Sequence, residues 1–167
     1  MSVLTLAPEA VRDEVGELES YNSGNEFGEF VRKNLFPESH YVLVKKTPDN
    51  SFDEEEFFES PREPNFKFRT RRNGNEFYVE VKYCSIFHNG VIDWCQPFQL
   101  KRYQTLDARI PVYIVIGIGG QPTAPYQISL IPVEHLRLPR LYPSFLKEFR
   151  VPTDHCVTEE ELLTISS

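Results

Sequence analysis

Cysteine is scarce in this chain, with only Cys84, Cys95 and Cys156 among 167 residues. An odd count without C-x-x-C spacing argues against a disulfide scaffold and a zinc knuckle, and points to a reducing compartment. His40, His88, His135 and His155 share no ligand spacing, which argues against a zinc site. No apolar run approaches the length needed to span a bilayer. The first residues also lack the basic segment and apolar stretch of a secretory signal. The expectation is a cytoplasmic protein with no membrane partner. Positive charge is in deficit, and the net charge of −7 argues against a non-specific nucleic-acid coat. It leaves room for an enzyme with a local basic strip.

What is present is enough to fold. The chain is 40% hydrophobic and 13% aromatic, sufficient for one core, and its length fits a single domain over 1–167. Residues 1–8 read as a tail or extra strand, and Glu9–Ser20 as a short acidic helix. Asn22-Ser23-Gly24-Asn25 is a capping cluster. After it Phe27, Phe30, Val31, Asn34 and Leu35 recur at helical spacing up to Pro37. Glu26 and Glu29 sit near the start of that helix, where carboxylates are favoured. Tyr41–Val44 has strand length, and Asp49–Pro64 reads as an acidic loop. A hairpin spans Asn65–Lys82, and Ile86–Trp94 is a connection. Gln96-Pro97 opens a helix running to about Arg109. Val112–Ile118 is a near-continuous apolar strand, buried on both faces and ended by Gly119-Gly120. Tyr126–Ile131 is a strand nearer an edge. Short helices fill 132–150, and an acidic helix closes the chain. This is an α/β order with a mixed central sheet.

The hairpin concentrates the chemistry. Asn73-Gly74 suits a two-residue turn, since both residues accept φ > 0. That turn sets Lys67 opposite Glu80 and Asn65 opposite Lys82, all four on one face. Phe66, Phe68, Val79 and Val81 share the other. A polar face of this kind is often a solvated surface with cross-strand ion pairs. It also has the makings of a metal site. A Glu80 carboxylate is the hard oxygen ligand that Mg²⁺ prefers, and the Asn65 amide oxygen adds a second, uncharged ligand. The Lys82 ammonium, two residues on, can orient a water and offset phosphate charge.

Pro64-Asn65 followed by Glu80-Val81-Lys82 resembles the signature of the PD-(D/E)XK, or restriction-endonuclease-like, nucleases. The helix-strand-strand-strand-helix-strand order over about 24–118 is similar to that family's αβββαβ core, leaving 119–167 as an additional strand and short helices. Gln99-Leu100-Lys101-Arg102-Tyr103 resembles the Q-x-x-x-Y motif of the RecB-like branch. Gln99 and Tyr103, four apart, share a helix face. The resemblance implies Mg²⁺ or Mn²⁺ held by Glu80, Asn65 and the Val81 carbonyl. Glu29, or less readily Glu26, would add charge, and Gln99 and Tyr103 would brace Lys82 or a phosphate. It implies a nuclease acting on nucleic acid, with DNA the expected substrate and Lys67, Arg69, Lys101 and Arg102 meeting its phosphates. Many relatives work as homodimers or within larger complexes.

The family expects aspartate where this chain has Asn65. The site is then weakened but active, or the protein is an inactive nuclease-fold module that binds nucleic acid or a protein partner. A third reading supplies the missing carboxylate from Asp49, Asp53 or Asp93. Asp154-His155-Cys156 offers no nucleophile arrangement, because adjacent residues do not face one another. Gly117–Gly120 lacks the spacing of a dinucleotide fingerprint. Cys84 shares the Glu80 face and reads as a small packed residue.

Overall fold

The computed structural model describes residues 23–47 and 63–166. The expected acidic helix at Glu9–Ser20 and most of the Asp49–Pro64 loop, Asp49 and Asp53 included, lie outside the described residues. The first described element is helix α1, residues 23–34. Strands β1 (Tyr41–Lys46), β2 (Phe66–Thr70), β3 (Glu76–Cys84) and β4 (Ile92–Asp93) follow. Helix α2 (Pro97–Asp107) leads to β5 (Val112–Gln121) and β6 (Ala124–Pro132). Next come a 3-10 turn at Val133–His135, β7 (Arg140–Leu141), α3 (Pro143–Glu148), β8 (Arg150–Val151) and α4 (Glu159–Ile165).

Among the described residues, six strands form one mixed sheet in the order β1-β2-β3-β5-β6-β8, and β4 pairs with β7 apart from it. Only β3 and β5 run parallel among its pairs. Parallel neighbours need a long crossover, and α2 supplies it. The alternation of β3 then fixes the layers. Phe77, Val79 and Val81 join Phe27, Val31 and Leu35 of α1 and Leu162 of α4 in one core. Tyr78 joins Ile114, Ile116, Leu100 and Tyr103 in the other, with Leu146 of α3. Glu80 and Lys82 share the parity of Tyr78, so they face the α2 layer. Gly117 admits α1 closely: a Cβ there would come within 2.5 Å of the Phe27 ring.

Two expectations are corrected. First, Asn73-Gly74 does not make a two-residue turn. Phe68 pairs with Phe77 and Arg69 with Glu76, and Thr70 N–H donates to the Asn75 carbonyl across a longer loop. The cause is distant in sequence. The Glu159 carboxylate at the start of α4 accepts from Asn73 Nδ2 at 2.6 Å, Asn75 Nδ2 at 2.7 Å and Thr70 Oγ1 at 3.2 Å. Those bonds require the asparagines to reach outward to α4, and the register moves by two residues. An even shift keeps every side chain on its face.

Second, Gly119-Gly120 does not end β5. Both adopt positive φ, at 70° and 64°, inside a strand that continues to Gln121. The Tyr126 strand does lie near an edge, with only the two-residue β8 pairing beyond it. At the opposite edge, β1 shifts register between Leu43 and Lys45 and carries Lys45 and Lys46. A bulge and charges of this kind discourage pairing with another sheet.

The C-terminal segment is stitched to α1 and β1. Val157 N–H donates to the Leu35 carbonyl at 2.9 Å, and the Tyr41 hydroxyl donates to the Val157 carbonyl. Glu159→Ala removes three hydrogen bonds between hairpin and helix and is expected to cost about 1–2 kcal/mol. Gly117→Ala forces a methyl into the packed Phe27 ring and is expected to cost about 1–3 kcal/mol. Urea unfolding of the two variants beside the wild type checks both.

Candidate functional site

The site is built where β2 and β3 part. Regular pairing stops at Phe66 and Val79, and one further step in that register sets Asn65 across from Glu80. Asn65 is therefore not opposite Lys82, and Lys67 lies opposite Tyr78 rather than Glu80. Asn65 continues the ladder with its side chain: Val81 N–H donates to Asn65 Oδ1 at 2.9 Å. A strand end leaves an unmatched β3 N–H, and a short side chain with an oxygen two bonds from Cβ satisfies it. An aspartate oxygen could accept the same bond. An amide oxygen also has two lone pairs, so one acceptor direction remains after the Val81 bond.

Glu80 is 6% exposed, one of very few charged or polar side chains in the described core. A buried carboxylate needs donors. Tyr103 Oη donates to Glu80 Oε2 at 2.7 Å. The Tyr103 ring in turn stacks on Trp94, with centroids 6.3 Å apart and planes within 20°. Trp94 is pinned by its backbone N–H to the Pro139 carbonyl at 3.0 Å. Its indole N–H reaches the Leu138 carbonyl at 3.4 Å. The tyrosine of the Q-x-x-x-Y motif thus holds Glu80 directly. Gln99 does not point to the sheet. Its Oε1 accepts from Gln96 N–H at 2.8 Å, closing the N-terminal turn of α2.

Lys82 is half-buried on the Glu80 face. Its charge is felt at two thiols. Burial pushes the Cys95 thiol up to about 12, with Lys82 pulling it down and Glu80 pushing it up. Burial also raises Cys84 against the pull of Lys82. Glu80, Lys82 and Cys95 therefore share one environment at the mouth of α2. The thiols are held protonated there and are poor nucleophiles.

Other expected residues lie apart from this group. Glu29 stands on α1, the helix that covers the opposite face. Lys46 Nζ binds its carboxylate at 3.0 Å and Arg32 approaches at 3.7 Å. The hydrogen bond from Lys46 holds Glu29 below the usual carboxylate range. Glu26 is exposed. Asp93 is committed to Arg140, at 2.8 and 3.3 Å, and supplies no second carboxylate here. Lys67 pairs with Glu76 at 3.0 Å and lies over the Tyr78 ring, and Arg69 reaches the same carboxylate at 3.6 Å. Lys101 is exposed on α2, and Arg102 lies over the Phe98 ring. His155 Nε2 sits 2.7 and 2.8 Å from the two Glu161 oxygens, beside a Cys156 thiol raised by burial.

Sequence reasoning missed one carboxylate. Glu63, two residues before Asn65, pairs with Lys45 at 2.7 Å and accepts from the Tyr78 hydroxyl at 3.2 Å. The Lys45 hydrogen bond holds it below the usual range. A Glu at i−2 from a motif residue shares its strand parity, and that was the available signal.

Among the described residues, no group of three His, Cys, Asp or Glu side chains is arranged to hold a metal ion. The oxygen donors nearest the parting of β2 and β3 are the Glu80 carboxylate and the Asn65 amide, the latter held at the N–H of Val81, the residue after Glu80. That set suits a hard cation that keeps several waters and shares its ligands with a substrate phosphate, as Mg²⁺ commonly does. No helix among the described residues is long and apolar enough to cross a membrane. Comparisons of the chain with protein-family models, curated proteins and solved structures find no match.

Tyr103→Phe leaves the buried Glu80 carboxylate short of a donor and is expected to cost about 1–3 kcal/mol by urea unfolding. The lowered carboxylates give an acid-side dependence. Their stabilisation is complete above the unfolded-state value of 4.5 and is lost as pH falls through the lower folded values. Glu63→Gln removes one such group, so thermal stability measured against pH should vary less below 4.5 than in wild type.

Proposed function

We propose that this protein is a metal-dependent phosphodiesterase of the PD-(D/E)XK type acting on nucleic acid, with DNA as the expected substrate. One observation carries the reading. Asn65, just before β2, accepts from the N–H of Val81, the residue after Glu80, with Lys82 on the Glu80 face and Tyr103 holding Glu80 from the crossover helix. The order α1-β1-β2-β3-α2-β5, with β3 and β5 parallel, is consistent with the nuclease core.

The Glu80 carboxylate and the Asn65 amide oxygen would hold Mg²⁺ or Mn²⁺, with the Val81 carbonyl as a further expected ligand. When bound, the ion supplies neutralisation of phosphate charge and acidification of the attacking water. Lys82 orients that water and stabilises the charge that builds on the phosphoryl oxygens. Water adds to phosphorus as the ester bond to the leaving sugar oxygen breaks, and that oxygen takes a proton. Tyr103 and Trp94 keep Glu80 in one rotamer, so little reorganisation is needed. Gln99 closes the first turn of the helix that presents Tyr103, and Glu29 would add its charge from beside Lys46.

The Asn65 side chain favours a second reading. It carries no charge, and its oxygen already accepts from Val81. A site with one carboxylate suits a module that binds nucleic acid or a protein partner without cutting.

Incubation of supercoiled plasmid and a single-stranded oligonucleotide with wild type, Glu80→Ala and Asn65→Asp, each with Mg²⁺ and Mn²⁺, tests both. The phosphodiesterase reading expects slow Mn²⁺-dependent cleavage by wild type, faster cleavage by Asn65→Asp and at least about a hundredfold loss in Glu80→Ala. A silent wild type with an active Asn65→Asp supports the second reading. Cleavage that survives Glu80→Ala removes the site from consideration.

A further inference from the structure

Tyr126 is 80% exposed, the most exposed large apolar side chain described. It is also firmly mounted. It falls between the pairs Ile118–Gln127 and Gly120–Pro125, so it stands across from Gly119 on the β5–β6 hairpin. Its ring lies over the bare backbone of two glycines: a Cβ on Gly119 would come within 2.9 Å of the ring, and one on Gly120 within 3.2 Å. The Tyr83 hydroxyl donates to the carbonyls of both glycines, each at 3.1 Å, and braces the hairpin from β3. Two glycines at positive φ and the Tyr83 hydroxyl thus hold the exposed ring in one place at the surface.

The hairpin sits at the same end of the sheet as the candidate site. Lys82 pairs with Ile116, and Gly119 lies three residues further along β5. Tyr126 is therefore about 10 Å beyond Lys82 along the strands and about 10 Å across them. Its parity is that of Ile128 and Leu130, so it projects on the α1 side while Lys82 projects on the α2 side. A chain touching both must pass over the end of the sheet. Positive charge is present at that end of the sheet: Lys82 lies beyond Glu80 on β3, and Lys46, half exposed, ends β1 two strands away on the side opposite Tyr126. Lys46 is engaged by Glu29 through an exposed ion pair, which a phosphate can replace at small cost.

We propose that Tyr126 is a stacking platform for an unpaired base, and that the site prefers single-stranded or frayed nucleic acid to a blunt duplex. This rests on the phosphodiesterase reading and names its substrate class. In a duplex the base faces are already stacked, whereas an unpaired base is free to cover an exposed ring.

Fluorescence anisotropy measures binding of a labelled single-stranded oligonucleotide and of the blunt duplex made from it, with Ca²⁺ in place of Mg²⁺. Wild type, Tyr126→Ala and Tyr126→Phe are compared, with thermal melts to verify folding. Tyr126→Ala should weaken single-strand binding about tenfold or more and leave duplex binding within about twofold, while Tyr126→Phe retains wild-type affinity. Unchanged single-strand affinity in Tyr126→Ala, an equal loss on both substrates, or a Phe variant as weak as the Ala variant overturns the proposal. With wild type binding normally, those results leave the phosphodiesterase reading standing. A wild type that binds neither substrate overturns both.

Discussion

The hydrogen bond from Tyr103 to Glu80 joins the parts of this fold that matter. A carboxylate in the middle of a central strand is expensive to bury without donors. The hydroxyl that stabilises it comes from α2, the same helix that makes the crossover between the parallel strands β3 and β5. The helix is therefore placed twice, by the connection it must make and by the charge it must satisfy. Trp94 stacks behind Tyr103, and its own polar atoms are fixed by the segment before β7. One buried acid thus orders the crossover helix, the tryptophan beneath it and the strand pair beside them.

A second constraint acts from outside the site. The Glu159 carboxylate draws Asn73 and Asn75 toward α4 and lengthens the β2–β3 turn. The two-residue shift that results is what brings Asn65, rather than Lys67, across from Glu80. A contact between hairpin tip and C-terminal helix therefore decides which side chains meet at the other end of the same strands. It also leaves Lys67 and Arg69 to Glu76, which neutralises part of the basic strip.

These two constraints explain how much could be read in advance. Period-two alternation around Phe66–Phe68 and Phe77–Val81 gave the faces correctly, because parity survives an even slip. The apolar run Val112–Ile118 and the helical spacing from Phe27 to Leu35 were equally legible, since both are local patterns. The register was not. Asn73-Gly74 is a strong local signal, and a carboxylate more than 80 residues away in sequence overrode it. The role of Gln99 was misplaced for a similar reason: an N-cap with no hydroxyl or carboxylate of its own recruits the side chain three residues on. Glu29, assigned to the site from sequence, is held by Lys46, which lines one cavity with Asn65 and Val81 beside the start of α1.

Asn65 is where the demands of fold and chemistry come together. Its oxygen completes the ladder where β2 ends, which is a sufficient structural role, and the proposed site asks the same oxygen to share a cation with Glu80. A single charged ligand predicts weak binding; restoring the charge without disturbing the Val81 bond should strengthen it. The most direct measurement is isothermal titration of Mn²⁺ into wild type, Asn65→Asp and Glu80→Gln. The account expects weak binding by wild type, about tenfold or more tighter binding by Asn65→Asp, and none by Glu80→Gln. Equal affinity in all three proteins would show that Asn65 and Glu80 do not share a metal site.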